Sequence, residues 1–85
     1  MVRDLKKFFP YYLGFVEQYV VGEICRRHGL EPFDALQRFL NSETYRMVSD
    51  FELAMWEFSH SAIVSMWECE QITGDPRNSI YIRSE

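Results

Sequence analysis

An apolar helical pattern in residues 10–28 constrains the fold of this chain more than any other feature. Its apolar members recur at intervals of three and four residues, which is the spacing of one face of an α-helix. They are Tyr12, Leu13, Phe15, Val16, Tyr19, Val20 and Ile24. Val21 and Cys25 fall outside that face, so the helix must be covered on more than one side, and Gly29 ends it. The pattern places this helix at the centre of the core or of a dimer.

The size of the chain predicts one domain, residues 1–85, with a single modest core. Its 85 residues include 47% apolar and 16% aromatic residues, a rich content for this length. Some apolar surface is therefore expected to stay uncovered in a monomer. Such a patch usually marks a partner or a second subunit. We expect the protein to bind another protein, itself, or both.

Two short helices are predicted after the first. Pro32 suits a first helical turn, and the following segment is expected to end near Asn41. We predict an inward face of Phe33, Leu36 and Leu40 and a polar face of Asp34, Gln37 and Arg38. Ser42 is a good N-cap for a third helix that carries Tyr45 and Val48 and stops around Ser49 and Asp50. The two helices are expected to be separate or to continue as a bent pair.

Residues 50–73 allow two interpretations. Apolar residues from Phe51 to Ile72 step at a mean of about 3.5 residues, which favours one continuous helix. Ser59, His60 and Ser61 are weak helix formers, and Ser59 is placed to cap a new helix that runs to Gly74. We favour the break, with the residues before Ser59 forming an aromatic loop over the core.

The C-terminal segment, residues 74–85, is predicted to be a turn followed by an extended tail. Asp75, Pro76, Arg77 and Asn78 are turn residues, and a β-branched and aromatic run follows them. A lone strand is unstable in water, so the tail must lie on its own domain, pair with a symmetry mate, or meet a partner's sheet edge. The fold class predicted overall is all-α, a small bundle of about four helices with this tail.

The net charge and the cysteines exclude several classes of function. Nine basic against thirteen acidic residues give a net charge of −4, which opposes binding to a phosphate backbone. Cys25 and Cys69 form no CxxC pair, so we interpret them as reduced core residues and expect no zinc. The basic N-terminal stretch is followed by Pro10, Gly14 and Glu17, which rule out a signal peptide or membrane span there. We expect a complete cytoplasmic protein.

No catalytic constellation is evident. Glu57 and His60 have the spacing of one half of a helical di-iron site, but the second copy and the further carboxylates are missing. Cys69 stands between Glu68 and Glu70, which would raise the pKa of its thiol and leave it unreactive. We therefore predict that the protein is not an enzyme and uses no metal or cofactor.

A DNA-binding transcriptional regulator is the alternative function. The second and third helices resemble a helix-turn-helix with Asn41 and Ser42 as the turn. Arg26, Arg27 and Arg46 could then contact phosphates. Because the third helix offers only Arg46 for this, we favour protein binding.

The tryptophans indicate where a protein partner would bind. Met-Trp-Glu occurs twice, at Trp56 and Trp67, and Trp anchors are enriched at interfaces. We expect Trp67 to be core, and leave Trp56 open between core and surface. The predicted protein-binding residues are Trp56 and Phe58 as anchors, Glu52 and Glu57 to steer a basic partner, and Ile80, Tyr81 and Ile82 for backbone pairing or dimer closure.

Four short motifs carry a resemblance to a known family. They are Ala35-Leu36-Gln37-Arg38-Phe39-Leu40, Ser42-Glu43-Thr44-Tyr45, Met55-Trp56-Glu57-Phe58-Ser59 and Gly74-Asp75-Pro76-Arg77-Asn78-Ser79. With them the chain resembles, over most of its length, a family of small uncharacterised bacterial helical proteins, a domain of unknown function. The resemblance implies a protein sometimes encoded beside a predicted toxin, and hence an antitoxin-like role. It carries over no catalytic residue, and the basic DNA-binding module of many antitoxins is not evident here.

Overall fold

Residues 2–79 form four α-helices that follow one another along the chain. The structure, a computed structural model, describes the backbone of residues 2–79 and the side chains of residues 6–79. The helices are α1 (Val2–His28), α2 (Pro32–Leu40), α3 (Glu43–Val48) and α4 (His60–Thr73), and 3₁₀ turns span Phe51–Leu53, Met55–Glu57 and Pro76–Asn78. No strand occurs between residues 2 and 79. The predicted all-α bundle of about four helices is confirmed.

The first helix is longer than predicted. It begins at Val2, so Pro10 lies inside it and not at its first turn. Pro10 removes only one backbone donor, the one that would have bonded to the carbonyl of Lys6. Phe9, the residue immediately before Pro10, packs its ring against Phe51 and Trp56, and these contacts support the added turns. The predicted start at residue 10 was therefore wrong.

Only one side of α1 is covered. Val16, Val20 and Ile24 are fully buried against α2 and α4. The expectation that Phe15 and Tyr19 belong to the same buried face is wrong, because these rings are 65% and 41% exposed. The Cα atoms of the molecule extend over 39 × 32 × 18 Å, and 18 Å is room for about two helix layers. Nothing among the described residues covers the outer side of α1.

The inward face of α2 also differs from the prediction. Ala35 and Phe39 are fully buried, whereas Phe33 and Leu40 are 69% and 40% exposed. The reason is that α2 contacts both α1 and α3, and the ring of Phe39 packs edge-on against Tyr45 at 5.2 Å between centroids. The face of α2 that carries Ala35 and Phe39 therefore points inward, where it contacts both α1 and α3.

The predicted capping serines are confirmed. Ser42 Oγ accepts a hydrogen bond from the backbone N–H of Tyr45 at 3.0 Å, so α3 begins as a separate helix. Ser59 Oγ accepts from the N–H of Ala62 at 3.0 Å and starts α4. Ala54, with a left-handed φ of 52°, lies between the two 3₁₀ turns that precede α4. The break in residues 50–73 is therefore confirmed.

The chain turns back after α4. Gly74 adopts a φ of 85° at the end of the helix, and Asp75 accepts a hydrogen bond from the N–H of Arg77 at 2.9 Å. Pro76 is buried, which fixes the predicted turn against α4. The predicted extended tail, with Ile80, Tyr81 and Ile82, lies outside the described residues.

Candidate functional site

The predicted anchor Trp56 lies in an aromatic cluster at the N-terminal end of α1. Its ring centroid is 4.8 Å from that of Phe51 and 6.0 Å from that of Phe9. Because of these contacts the side chain is half-buried, between the core and surface alternatives. We call Phe8, Phe9, Tyr12, Phe51 and Trp56 the aromatic corner.

A small cavity opens in this corner. It has a volume of about 160 Å³ and is lined by Phe8, Phe9, Tyr12 and Trp56. Phe8 is 59% exposed, so the rim of the cavity is accessible. The hydroxyl of Tyr12 is buried without a hydrogen-bond partner among the described residues, and burial raises its pKa. The corner is thus apolar, with one unsatisfied polar atom.

The other predicted contact residues stand around Trp56. Glu52 and Glu57 are exposed on the two 3₁₀ turns, and neither forms an ion pair with a described side chain. Lys6 lies 5.8 Å from the centre of the Phe51 ring. Phe58 is half-buried against the core.

A second exposed apolar surface lies elsewhere on α1 and was missed by the sequence reasoning. Tyr11 and Phe15 are 69% and 65% exposed, and Gly14, Gln18 and Gly22 continue the same side of the helix. We call these five residues the open face. The missed signal was the recurrence of Tyr11, Phe15, Gln18 and Gly22 at intervals of four, three and four residues.

A groove runs beside the open face, between α1 and α2. It has a volume of about 730 Å³ and is lined by Gly14, Glu17, Gln18, Val21, Gly22, Cys25, Pro32, Phe33 and Leu36. A Cβ atom added at Gly14 or Gly22 would meet nothing within 4 Å. The two glycines therefore leave the floor of the groove open, while the exposed ring of Phe33 forms one wall.

One charged residue at the groove is held by the fold. Glu17 accepts a hydrogen bond from the hydroxyl of Tyr45, with 2.6 Å between the oxygens. Burial, together with this bond, raises the pKa of Tyr45 to about 12. Glu17 thus ties α1 to α3, and the rest of the groove lining is mainly apolar.

Glu57 and His60 are not brought together on one helix. Glu57 lies in a 3₁₀ turn and His60 is the first residue of α4, with the cap Ser59 between them. The His60 ring instead lies 5.4 Å from the ring of Tyr19 and 6.3 Å from that of Tyr12. Within the described residues, no group of three His, Cys, Asp or Glu side chains is arranged to hold a metal ion.

Trp67 belongs to the core, as predicted. It is 3% exposed, and the His28 ring packs edge-on against it at 5.7 Å. His28 in turn lies 2.9 Å from the carboxylate of Glu68, which also binds Arg27 at 3.1 Å. These contacts link the end of α1 to α4 and account for the basic last turn of α1.

The arginines that could contact phosphate are paired within the protein. Arg26 binds Glu23 through its Nε at 3.3 Å, and Arg46 binds Glu43 through its Nε at 2.9 Å. Arg77 also reaches Glu43, at 2.9 Å. Hydrogen bonds from Arg46, which has the larger effect, and from Arg77 lower the pKa of Glu43 to about 2. The helices α2 and α3 flank Asn41 and Ser42, the turn of the predicted helix-turn-helix. The second helix of that motif, α3, has only six residues.

Comparisons with known proteins identify no relative. No protein-family model, no curated protein and no solved structure matches the chain. No helix among the described residues is long and apolar enough to cross a membrane.

Proposed function

We propose that this chain is a protein-binding module that docks its partner on the open face and in the groove beside it. The observation that carries the proposal is the exposure of Tyr11 and Phe15 on a helix whose opposite side is fully buried. Large exposed apolar patches on small soluble proteins usually mark interaction sites. The exposed rings also flank a ready cavity for a partner's side chains.

The amount of exposed aromatic surface supports this assignment. Tyr11, Phe15 and Phe33 are each between 65% and 69% exposed. Since a buried aromatic side chain covers on the order of 200 Å², these three leave about 400 Å² of ring surface to cover. That is about half of one side of a standard interface of roughly 800 Å² per partner. The groove and the aromatic corner supply further area.

The shape of the surface favours a helical partner. A helix-in-groove complex uses anchors spaced by three and four residues, and the open face has that spacing. The groove lies between two helices, so a third helix laid into it would extend the layer of α1 and α2. The partner would then bury its apolar stripe against Phe15 and Phe33.

The aromatic corner extends the docking surface at one end. The rings of Phe8 and Tyr11 are 6.3 Å apart, so the corner and the open face are adjacent. Trp56 provides an anchor there, and the exposed carboxylates of Glu52 and Glu57 would steer a basic partner. The predicted roles of Phe58, and of Ile80, Tyr81 and Ile82 in backbone pairing, remain part of this proposal. The antitoxin-like role implied by the family resemblance is one form of it.

A capture experiment with matched variants tests the proposal. Phe15→Ser removes the central ring of the open face, and Ile72→Ser removes a similarly apolar residue that is 84% exposed on α4. Tagged protein is used to capture partners from an extract of its own cells at low salt. We expect wild type and Ile72→Ser to capture the same protein and Phe15→Ser to lose it. Equal capture by all three proteins would contradict the proposal.

A further inference from the structure

We infer that the occupant of the open face is a second copy of this chain, bound with the two α1 helices antiparallel and with Gln18 on the two-fold axis. The inference rests on the proposed function, because it uses the same face. It names the partner and the register of contact. Three independent features of α1 point to it: the position of its glycines, the distribution of its aromatic residues, and the charges at its two ends.

The glycines are placed symmetrically about Gln18. Gly14 and Gly22 lie four residues before and after it, and all three are exposed. In an antiparallel pair with its axis at Gln18, Gly14 of each copy faces Gly22 of the other copy. Neither glycine has an atom within 4 Å of the place where a Cβ would stand, so both backbones can approach closely. The short end of the usual 8–10 Å range of helix separation is then accessible.

The aromatic residues occupy only one half of the face. Tyr11 and Phe15 precede Gln18, whereas Val21, Gly22 and Cys25 follow it and line the groove. Antiparallel pairing about Gln18 puts Phe15 of one copy beside Val21 and Gly22 of the other. A parallel pair would stack the exposed rings on one another and leave the groove empty. Only the antiparallel arrangement fills the small-residue half with rings.

The exposed charges that lie outside ion pairs have opposite signs at the two ends of the face, because Arg26 and Arg27 in the last turn of α1 are paired with Glu23 and Glu68. Lys7 is exposed near the start of α1, and Glu31 is exposed just after its end. Neither forms an ion pair with a side chain that the structure describes. In the antiparallel pair Lys7 lies opposite residue 29 of the second copy, two positions from Glu31. A parallel pair would bring two Lys7 ammonium groups together, which is unfavourable. Charge complementarity therefore favours the same arrangement as the rings.

Gln18 itself is suited to a two-fold axis. A primary amide carries both donors and an acceptor, so two Gln18 side chains can form a reciprocal pair of hydrogen bonds. A single polar residue in an apolar helix contact fixes register. Isologous two-fold dimers are also the commonest assembly of soluble proteins. The symmetry of the face thus matches the symmetry of the assembly.

The test uses three variants in sedimentation equilibrium over a range of protein concentrations. Gln18→Glu places two carboxylates against each other on the axis, and Gln71→Glu makes the same charge change on the exposed surface of α4. Gly22→Leu blocks the close approach of the helices, while it favours helix formation within the monomer. We expect wild type and Gln71→Glu to dimerise with the same Kd. Gln18→Glu and Gly22→Leu should weaken the dimer at least about tenfold, with unchanged or increased helicity.

Acidification adds a readout that a folding defect cannot give. Dimerisation of Gln18→Glu should recover as the pH falls through the pKa of the new carboxyl, near 4.3 in a free chain. A monomeric wild type, or equal dimerisation of wild type, Gln18→Glu and Gly22→Leu, would overturn the inference. If a monomeric wild type still captures another protein in a Phe15-dependent way, the proposed function stands and this inference alone fails. If it captures none, both fail.

Discussion

Glu70, near the end of α4, caps the N-terminus of α3 through Thr44. Its carboxylate accepts hydrogen bonds from the backbone N–H of Thr44 at 2.9 Å and from the Thr44 hydroxyl at 2.7 Å. The N–H of Glu43 donates to the same carboxylate at 2.8 Å. A helix of six residues is not stable alone, so α3 depends on this contact and on its buried Thr44, Met47 and Val48.

Replacing Glu70 should therefore destabilise the protein. Glu70→Gln keeps the shape of the side chain but removes the charge that strengthens three hydrogen bonds. We expect a loss of about 2 kcal/mol in the free energy of unfolding, measured by urea titration. Glu57→Gln, a change on an exposed turn, is the control and should have little effect. Equal stabilities for wild type and Glu70→Gln would show that the cap does not hold α3.

The two tryptophans should differ strongly in their effect on stability. Trp67 is 3% exposed, so Trp67→Ala leaves a large cavity and should cost about 3–5 kcal/mol in the free energy of unfolding. Trp56 is half-buried against Phe9 and Phe51, so Trp56→Ala should cost less and should weaken partner binding. Thermal unfolding of both variants measures the difference. Similar large decreases in Tm would place Trp56 in the core and remove it from the docking surface.

Alkaline pH should release the bond between Tyr45 and Glu17. The pKa of Tyr45 is raised to about 12 in the folded protein, against about 10 in an unfolded chain. The stability that this tyrosine contributes is therefore complete below about pH 10 and is lost as the pH rises through 12. Absorbance titration of tyrosinate should show a late-ionising tyrosine that is missing in Tyr45→Phe, in addition to Tyr12, whose pKa is also raised by burial. Loss of an early-ionising tyrosine in Tyr45→Phe would contradict the assignment.

Binding to duplex DNA should be weak. Arg26 and Arg46 are already paired with Glu23 and Glu43, and the chain carries a net charge of −4. A protein that contacts few phosphates shows little dependence of its affinity on salt. Fluorescence anisotropy with a labelled duplex at low and moderate salt measures this. Tight, steeply salt-dependent binding that is lost in Arg46→Gln would favour the alternative function, a DNA-binding regulator.

Local chemistry could be predicted from the sequence, and the orientation of helices could not. The caps at Ser42 and Ser59 depend on a side chain and a backbone N–H three residues later, so nearby residues determine them. The inward face of α2 depends on distant neighbours. Phe33 and Leu36 form an apolar stripe as regular as that of Ala35 and Phe39, and only the contacts with α1 and α3 decide between them.

The same limit explains why the open face was missed. The first helix is apolar around most of its circumference, so periodicity alone does not tell whether Phe15 or Val16 faces the core. The answer depends on how many sides of α1 the remaining 57 residues after His28 can cover, and α2 and α4 cover only one. For Trp56 the sequence left core and surface open, and the side chain is half-buried between the two.

The most direct test of the protein-binding account is site-specific photo-crosslinking in the cell. A photoreactive phenylalanine analogue replaces Phe15 in one protein and Ile72 in another, since both positions are exposed but only the first lies on the open face. We expect a discrete crosslinked protein adduct from position 15 and none from position 72. An adduct from position 72 alone, or none from position 15, would contradict the assignment of the open face as the docking surface.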